Sequence, residues 1–241
     1  MLPQVVEFKR MALDLLFPQR CIGCGKEGSL ICPSCQSSLS IVAPPICPLC
    51  GRPQPSGIVC PSCIKWRAPS ASSGQAQIDG IRSPYRFDGV MRQAIHQLKY
   101  RNLRTLAAPL AKLLHNYLDN NTVPGEVLVA VPLHPKRLKE RGYNQSALLA
   151  HELGKLTGLP ITEGSLVRQQ PTPPQAKTAT VEERRSNVSE AFICRNDGLR
   201  NRQVILIDDV STSGATLNAC AQALKAAGAA SVWGLVMARE I

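Results

Sequence analysis

The sequence predicts two parts, a small metal-bound module followed by an α/β domain with a mostly parallel sheet. Eight of the ten cysteines lie in the first 63 residues, and all eight form C-x-x-C pairs. After residue 81, short apolar runs alternate with amphipathic helical patterns. This alternation is typical of parallel strands covered by helices. The 241 residues are enough to build a hydrophobic core in at least one of the two parts.

The composition excludes disordered and fibrous proteins. Hydrophobic residues make up 44% of the chain and charged residues 19%, which is typical of a folded protein. No apolar run approaches the roughly 18 residues of a spanning helix, so we expect no membrane span. Glu7, Lys9 and Asp14 interrupt the apolar pattern of the N-terminus, unlike a secretory signal. We therefore interpret the protein as cytoplasmic.

The N-terminal domain is predicted to cover residues 1–67. Residues 5–17 have one apolar face at helical spacing, and Pro18 ends that predicted helix. Residues 68–80 are rich in Ser, Gly, Gln and Ala, which indicates a linker. The second domain is then expected at 81–241.

The cysteine pairs predict two metal sites. In a reducing cytosol, a C-x-x-C pair is either redox-active or half of a tetrahedral site. The simplest grouping is sequential, with two structural zinc ions in a double zinc ribbon. The ligand sets are then Cys21, Cys24, Cys32 and Cys35 for the first ion and Cys47, Cys50, Cys60 and Cys63 for the second. A single zinc ion, disulfides or an iron cluster are the alternatives.

The α/β part can be predicted element by element. Strands are expected at 81–87, 127–131, 204–207 and 232–237. Helices are expected at 90–100, 105–118, 144–156 and 214–227. The segment 168–177 contains three prolines and is predicted to be a loop. Thr180 and Glu183, which follow it, have the spacing of a capping box and predict that a short helix begins there.

The strongest chemical signal is VILIDDVSTSGATL at 204–217. A buried strand is followed by Asp208 and Asp209, a Ser/Thr/Gly turn and a helix that starts near Gly214. Backbone N–H groups and hydroxyls at a helix N-terminus favour a phosphate at the carboxyl edge of a parallel sheet. Two carboxylates would repel that phosphate. We expect them at a surface-facing strand end, where they bind ribose hydroxyls or a cation.

The positive charge is concentrated in one stretch of the chain. The net charge is +11, and residues 81–150 carry eleven basic against four acidic side chains. This pattern favours a phosphorylated small molecule or a nucleic acid, with a solubilising surface as the alternative. Lys136, Arg137, Lys139 and Arg141 follow the strand at 127–131, where open α/β sheets bind ligands. Cations there would neutralise a pyrophosphate together with Mg²⁺; a solvated loop is the alternative.

Aromatic rings lie among the cations of the same stretch. The basic members are Arg82, Arg86, Arg92, Lys99, Arg101 and Arg104, and the aromatic members are Tyr85, Phe87, Tyr100 and Tyr143. Rings beside cations suit single-stranded DNA, because bases stack on rings while phosphates pair with cations. Packing in a strand core is the alternative for Tyr85 and Phe87.

The 204–217 string resembles the phosphoribosyl-pyrophosphate (PRPP) motif of type I phosphoribosyltransferases, and nearly the whole chain resembles the ComF/GntX family within that fold. The cysteine array is similar to the zinc-ribbon module of that family. The other matching segments are LKY at 98–100, VPLHPKR at 131–137, RGYNQS at 141–146, LVR and QQPTPPQ at 166–175, RRSNV at 184–188 and AF at 191–192. One departure is Ser211, where the broader pattern usually has an aliphatic residue.

The resemblance implies a set of site residues. Asp208 and Asp209 would contact the ribose hydroxyls as the catalytic carboxylates. The 5′-phosphate would be bound by Ser211, Thr212, Ser213, Gly214, Ala215 and Thr216. The pyrophosphate, with magnesium, would lie near Leu133, His134, Lys136, Arg137 and Arg141. The loop 168–177 would close over PRPP to exclude water, with anion contacts from Arg184, Arg185 and Asn187.

The implied function is that of a ComF-type phosphoribosyltransferase, which binds PRPP and transfers or hydrolyses its phosphoribosyl group. The family also implies a role in DNA uptake during natural transformation, with single-stranded DNA and, in some members, a helicase-like ATPase as partners. A non-catalytic adaptor that binds DNA or protein on the same fold is the alternative. A PRPP-sensing regulator is a third hypothesis.

Overall fold

A computed structural model describes residues 18–67, 77–169, 191–195 and 198–241 of the chain. Several sequence predictions lie outside the described residues. These are the N-terminal helix at 5–17, most of the linker at 68–80, the proline-rich segment from residue 170 onward, and the contacts of Arg184, Arg185 and Asn187.

A five-stranded parallel sheet is the centre of the described structure. The strands of the chain are β1 (Gly80–Arg82), β2 (Tyr85–Arg86), β3 (Val127–Ala130), β4 (Leu166–Arg168), β5 (Phe192–Cys194), β6 (Gln203–Ser211) and β7 (Ser231–Arg239). The order is β1-β7-β6-β3, and β2 also pairs with β7. β4 and β5 form a separate antiparallel pair. The parallel α/β sheet predicted from the sequence is therefore confirmed.

The strands differ from the prediction in three main ways. The strand expected at 81–87 is broken into β1 and β2 around Pro84, which has no N–H to donate to a ladder. β6 runs on to Ser211, four residues beyond the predicted end, because its pairing with β7 continues to Arg239. The β4–β5 pair was not predicted, since each strand has only three residues and too short a pattern for recognition.

Helices cover both faces of the sheet. They are α1 (Pro33–Ser37), α2 (Pro61–Arg67), α3 (Gly89–Tyr100), α4 (Ala107–Leu118), α5 (Pro135–Arg141), α6 (Gln145–Thr157) and α7 (Ala215–Ala226), and a 3₁₀ turn at Arg104–Leu106 precedes α4. The four predicted helices match α3, α4, α6 and α7 closely. None of the described helices has both the length and the apolar character that crossing a bilayer requires.

Alternation along β6 divides the core in two. Ile205 and Ile207 belong to one cluster, which the buried faces of α3, α4 and α6 complete. Val204 and Leu206 belong to the other cluster, which contains the buried side chains of α7. Successive strand residues point to opposite faces, so a fully apolar run is required where both faces are covered.

The cysteine-rich module packs on the edge of the sheet at β1 and β2. The N–H of Ile81 donates to the carbonyl of Leu49 at 2.7 Å, and the N–H of Arg86 donates to Ser40 at 2.8 Å. The module therefore satisfies backbone groups that an open edge would expose. The domain division at 68–80 stays a prediction; Ile78, near its C-terminal end, is buried beside α7, with its N–H bonded to the Asn218 side chain.

Candidate functional site

The eight cysteines of the N-terminal module form two four-sulfur clusters. The first contains Cys21, Cys24, Cys32 and Cys35, and the second contains Cys47, Cys50, Cys60 and Cys63. Within each cluster all four sulfurs lie within 4.8 Å of one another. This confirms the sequential grouping expected from the spacing of the pairs.

Both clusters fit a zinc ion. Four sulfurs at about 2.3 Å from zinc lie about 3.8 Å apart in a tetrahedron. The observed Sγ–Sγ distances are 3.6 Å for Cys24 and Cys32 and 3.8 Å for Cys50 and Cys60. Cys32 donates its backbone N–H to Sγ of Cys21 at 3.4 Å, a contact typical of a knuckle that holds a thiolate. The two four-cysteine sites are therefore suited to structural zinc.

Local hydrogen bonds favour a thiolate in each cluster. Burial raises the pKa of the Cys21 thiol, but backbone N–H groups of Cys32, Cys24 and Gly23 outweigh that effect and lower its pKa to about 6. The pKa of Cys47 is likewise lowered to about 6, against the effect of burial. Deprotonated thiols are the form that binds metal, so the folded backbone prepares both sites for an ion.

The two acidic residues of the 204–217 string lie within β6 and not after it. Asp209 is only 2% exposed, and its Oδ1 is 2.6 Å from Nζ of Lys99 on α3. Its Oδ2 is buried and has no hydrogen-bond partner among the described residues. The expectation of a surface-facing strand end is therefore wrong for Asp209. Because β6 extends to Ser211, this carboxylate is buried beside α3.

Asp208 is more open and lies against α6. Its Oδ1 accepts a hydrogen bond from the Ser146 hydroxyl at 2.8 Å and another from the Asp209 N–H at 2.9 Å. Burial and the negative charge of Asp209 raise the pKa of Asp208 to about 7. Part of this carboxylate therefore remains protonated near neutral pH, when it can also donate a hydrogen bond.

The turn after β6 has the form of an anion-binding loop. Thr212 and Ser213 are exposed, and the Ser213 hydroxyl accepts the N–H of Ala215 at 3.3 Å. Gly214 adopts a left-handed conformation with φ of 84° and ends the turn, after which α7 begins at Ala215. Thr216 is exposed in the first turn of α7, whereas Ser211 is buried. The positive end of α7 and the side chains of Thr212, Ser213 and Thr216 therefore face solvent at this point.

The predicted pyrophosphate segment is a helix preceded by a capped turn. The side chain of His134 accepts the N–H of Lys136 at 3.2 Å, and α5 then begins at Pro135. Lys136 and Arg137 are exposed, and Leu133 is half-buried. Arg141 lies over the Tyr100 ring at 5.3 Å and bonds to Gln145. The cations at 136–137 are therefore open to a ligand, while Arg141 already has protein partners.

A cavity of about 390 Å³ lies next to this segment. Its lining includes Leu133 and Pro135, His151 of α6 and Arg168 of β4. Burial lowers the pKa of Arg168, and the charge of Arg137 adds to that shift. The sequence alone did not predict this cavity, because β4 and residues 161–164 meet β3 only in the folded chain.

The aromatic residues of the basic stretch divide into packed and exposed rings. Tyr143 is buried and its hydroxyl donates to the Leu98 carbonyl, while Tyr85 and Phe87 pack on the core. Tyr100 is 65% exposed. Core packing therefore accounts for three of the rings, and base stacking remains open to Tyr100.

Comparison with known proteins assigns the family. A family model of the double zinc ribbon domain matches residues 12–64. The competence protein ComFC of Bacillus subtilis (strain 168) is 32% identical over 222 residues, which cover 89% of this chain and 86% of that protein. The chain belongs to the ComF family.

Other relatives of this ComF-family chain have related names. Competence protein F of Haemophilus influenzae is 31% identical over 154 residues, covering 60% of this chain and 66% of that protein. The DNA utilization protein YhgH of Escherichia coli (strain K12) is 28% identical over 193 residues, covering 78% of this chain and 81% of that protein.

Solved structures similar to the ComF-family chain include two enzymes. Adenine phosphoribosyltransferase from Leishmania tarentolae has a TM-score of 0.36 at 19% identity, over 55% of this chain and 56% of that chain. Glutamine PRPP amidotransferase from B. subtilis has a TM-score of 0.39 at 18% identity, over 54% of this chain and 26% of that chain. Both scores are low, so the fold described above rests on the strand pairings of this chain.

Two polar partners in this ComF-family site were not assigned from the sequence. Lys99 lies in the LKY segment and was considered only as a DNA-binding cation, and Ser146 ends the RGYNQS segment. Both segments resemble the family in sequence, which was the available signal. Their contacts with Asp209 and Asp208 arise because α3 and α6 pack on the same core cluster as β6.

Replacing cysteines should remove the zinc ions one at a time. We expect two zinc ions per wild-type chain and one after Cys21→Ser with Cys24→Ser, since thiolates supply the binding energy of such sites. Because Cys21, Ile31 and Leu39 share a core cluster with Leu98 of α3, this double variant should also unfold at a lower temperature. Metal analysis and calorimetry measure the two effects. Fewer than one zinc per wild-type chain, purified without chelator, would contradict the assignment.

Ionisation of Asp208 should reduce stability as the pH rises. Its pKa in the folded protein is raised from 3.8 to about 7, so the stability due to the protonated carboxyl is fully present below about pH 4. That stability is lost as the pH rises through about 7. Urea unfolding across this range should show wild type losing stability relative to Asp208→Asn, which cannot ionise. Asp88→Asn, a change at an exposed carboxylate, is the control and should track wild type.

Proposed function

We propose that this ComF-family protein acts in DNA uptake and binds PRPP at the carboxyl edge of its sheet, where it transfers or hydrolyses the phosphoribosyl group. One observation carries the proposal: the Ser/Thr/Gly turn between β6 and α7 begins at Thr212, four residues after Asp208 at the same end of β6. The names of the relatives, which refer to competence and DNA utilization, support the part that concerns DNA.

The turn supplies the chemistry that a 5′-phosphate requires. The hydroxyls of Thr212, Ser213 and Thr216 are at the surface, and the first N–H groups of α7 lack intrahelical partners. The helix dipole favours negative charge at the same point. A phosphate in this turn would place its attached ribose toward the end of β6, where Asp208 lies.

The two carboxylates take different roles in this proposal. Asp208 is the carboxylate that accepts the ribose hydroxyls, because it is the more open of the two and its Oδ1 is held by the Ser146 hydroxyl. Asp209 is ion-paired with Lys99 and almost inaccessible, so it orients the end of β6 and adds to the negative field at Asp208. Both residues then contribute to ribose binding, one directly and one by position.

The leaving group would bind on the far side of the ribose. Lys136 and Arg137 are exposed in the first turn of α5, which follows the adjacent strand β3. Their positive charge would stabilise the pyrophosphate as it departs. PRPP would enter as its magnesium complex, in which the ion neutralises part of the same charge. An acceptor would then fit the cavity beside Leu133 and Arg168.

The DNA-binding surface is proposed along α3 and the turn after it. Arg92 in the first turn of α3 and Arg101 and Arg104 after its end are exposed. Tyr100 is 65% exposed, with Arg141 over its ring at 5.3 Å. Single-stranded DNA would pair its phosphates with these cations and stack a base on Tyr100. A helicase-like ATPase remains an expected partner from the family resemblance.

A non-catalytic adaptor is the second candidate. It is favoured by the contact of Asp209 with Lys99, which already satisfies one carboxylate without any ligand. In that case the fold would serve only to present the zinc ribbons and the basic surface. PRPP binding separates the two candidates.

Removal of the Asp208 charge should weaken PRPP binding. We expect Asp208→Asn to lower the affinity about ten- to a hundredfold, because a hydrogen bond to a charged group contributes roughly 1.5 to 3 kcal/mol. Calorimetric titration with PRPP and Mg²⁺ measures the change, with Asp88→Asn as a control of equal charge. Equal affinities in Asp208→Asn and wild type would favour the adaptor.

Neutralising the α3 surface should weaken single-stranded DNA binding. The triple change of Arg92, Arg101 and Arg104 to Gln should reduce the slope of log affinity against log salt by about 0.7 for each DNA phosphate that is no longer neutralised. Fluorescence anisotropy with a labelled oligonucleotide, at several salt concentrations, measures that slope.

A matched triple change tests whether total charge alone explains the result. Arg20, Arg200 and Arg202 are exposed arginines outside the 81–150 stretch, and their change to Gln removes the same charge. This control should bind DNA as wild type does, and both triple variants should bind PRPP normally. Equal loss of DNA affinity in the two variants would show that no specific surface exists.

A further inference from the structure

Arg239 is a fully buried cation at the end of β7. It is 1% exposed and pairs in register with Ser211 on β6. Its Nη2 lies 3.5 Å from the carbonyl oxygen of Thr212, while Nε and Nη1 have no hydrogen-bond partner among the described residues. A guanidinium keeps its charge even when buried, so it needs negative charge close by. The Thr212 carbonyl alone does not supply that charge.

The second four-cysteine site supplies the charge. Burial lowers the pKa of Arg239, and the Cys50, Cys63 and Cys47 thiolates oppose that shift, whereas Arg52 adds to it. The backbone N–H of Arg52 hydrogen-bonds to the Cys50 sulfur, so the residue whose side chain contacts Thr212 also contacts a ligand of this site. Four thiolates around one Zn²⁺ carry a net charge of about −2, which a nearby buried cation stabilises.

The turn that bears the second-site cysteines also contacts the phosphate-binding turn. The backbone of this knuckle closes between Cys47 and Arg52, whose N–H and carbonyl are 2.8 Å apart. Nη2 of Arg52 donates to the Thr212 carbonyl at 3.1 Å. Two arginines, one from the zinc module and one from the last strand, therefore converge on the same carbonyl oxygen.

A second route of packing joins the same two turns through β1. Leu49 of the knuckle accepts the N–H of Ile81 at 2.7 Å. A Cβ at Gly51 would collide with the Ile81 carbonyl oxygen, and a Cβ at Gly214 would lie 2.9 Å from Cδ1 of Ile81. Ile81 is thus in close contact with the knuckle on one side and with Gly214 on the other.

We infer that the second zinc ribbon positions the phosphate-binding turn, with Arg239 as the buried cation that joins the second four-cysteine site to Thr212 and Arg52 as the second contact. The first four-cysteine site has no such connection in the described residues; three of its cysteines, Cys21, Cys32 and Cys35, belong instead to the core cluster of α3 and α4. Loss of the second zinc ion would loosen residues 212–216, and loss of the first would not. This positioning of the turn does not depend on what the protein binds, whereas the expected change in PRPP affinity rests on the function proposed above.

Hydrogen exchange of the full-length, zinc-loaded chain tests the inference. Cys60→Ser and Cys24→Ser are matched variants, because each removes one thiolate from one site. In Cys60→Ser we expect amides of residues 212–216 to exchange about tenfold faster, as broken hydrogen bonds and missing fixed charges lower the cost of local opening. Exchange at residues 204–207 in the core of β6 is the internal reference, because a global loss of stability would speed exchange there as well as in the turn. Equal exchange of the turn in both variants would overturn the inference.

A variant that removes only the buried charge of Arg239 provides a second test if Cys60→Ser fails to fold. Arg239→Met fills a similar volume without charge and leaves all eight cysteines in place. We expect one of its two zinc ions to pass to a chromogenic chelator about tenfold faster than in wild type, together with faster exchange at 212–216. Arg20→Met is the control, since Arg20 lies near the first site but is exposed and paired with Glu27 at 2.9 Å. Zinc release and exchange as slow as in wild type would disprove the role of Arg239.

PRPP titration separates this inference from the proposed function. If wild type binds PRPP and Arg239→Met binds it at least about tenfold more weakly, both are supported. Absence of PRPP binding in wild type would remove the proposed function, while exchange and zinc release still decide the positioning role. Unchanged PRPP affinity, exchange and zinc release in Arg239→Met would overturn the inference and leave the proposed function standing.

Discussion

The pairing of β6 with β3 on one side and β7 on the other brings three distant parts of the chain to one edge of the sheet. The β3 end carries Leu133 and His134, the β6 end carries Asp208 and the Ser/Thr/Gly turn, and the β7 end carries Arg239. Parallel strands place their carboxyl ends together, so the candidate site depends on this pairing before any side chain acts. The apolar run of β6, buried on both faces, is the sequence feature that makes it the central strand.

Buried charge at this edge is arranged in compensating pairs. Lys99 neutralises Asp209 on β6, and we infer that the second four-cysteine site does the same for Arg239 on the neighbouring strand β7. Asp208 lies beside these pairs, and its burial together with the negative charge of Asp209 raises its pKa to about 7. A carboxyl group whose pKa is raised to near neutrality, beside other buried charges that are paired, is characteristic of a binding site.

The zinc ribbons are part of the fold and not an appendage to it. The first four-cysteine site shares its core with α3 and α4, and the second meets β1 and the turn after β6. Each four-cysteine site therefore lies at contacts between elements far apart in sequence. This arrangement explains how a short cysteine-rich segment, with little core of its own, becomes ordered beside the sheet.

The sequence alone determined the α/β class, the four main helices, the sequential grouping of the cysteines and the location of the 204–217 string. These features depend on local periodicity and on residue spacing, which are visible in a single chain. Only the tertiary structure decided that Asp209 is buried against Lys99, that Asp208 lies beside Ser146, and that Arg52 of the cysteine-rich module bonds to the Thr212 carbonyl. Each of these contacts joins residues at least 62 positions apart, counting from Ser146 to Asp208, and their geometry exists only once the helices have packed on the sheet.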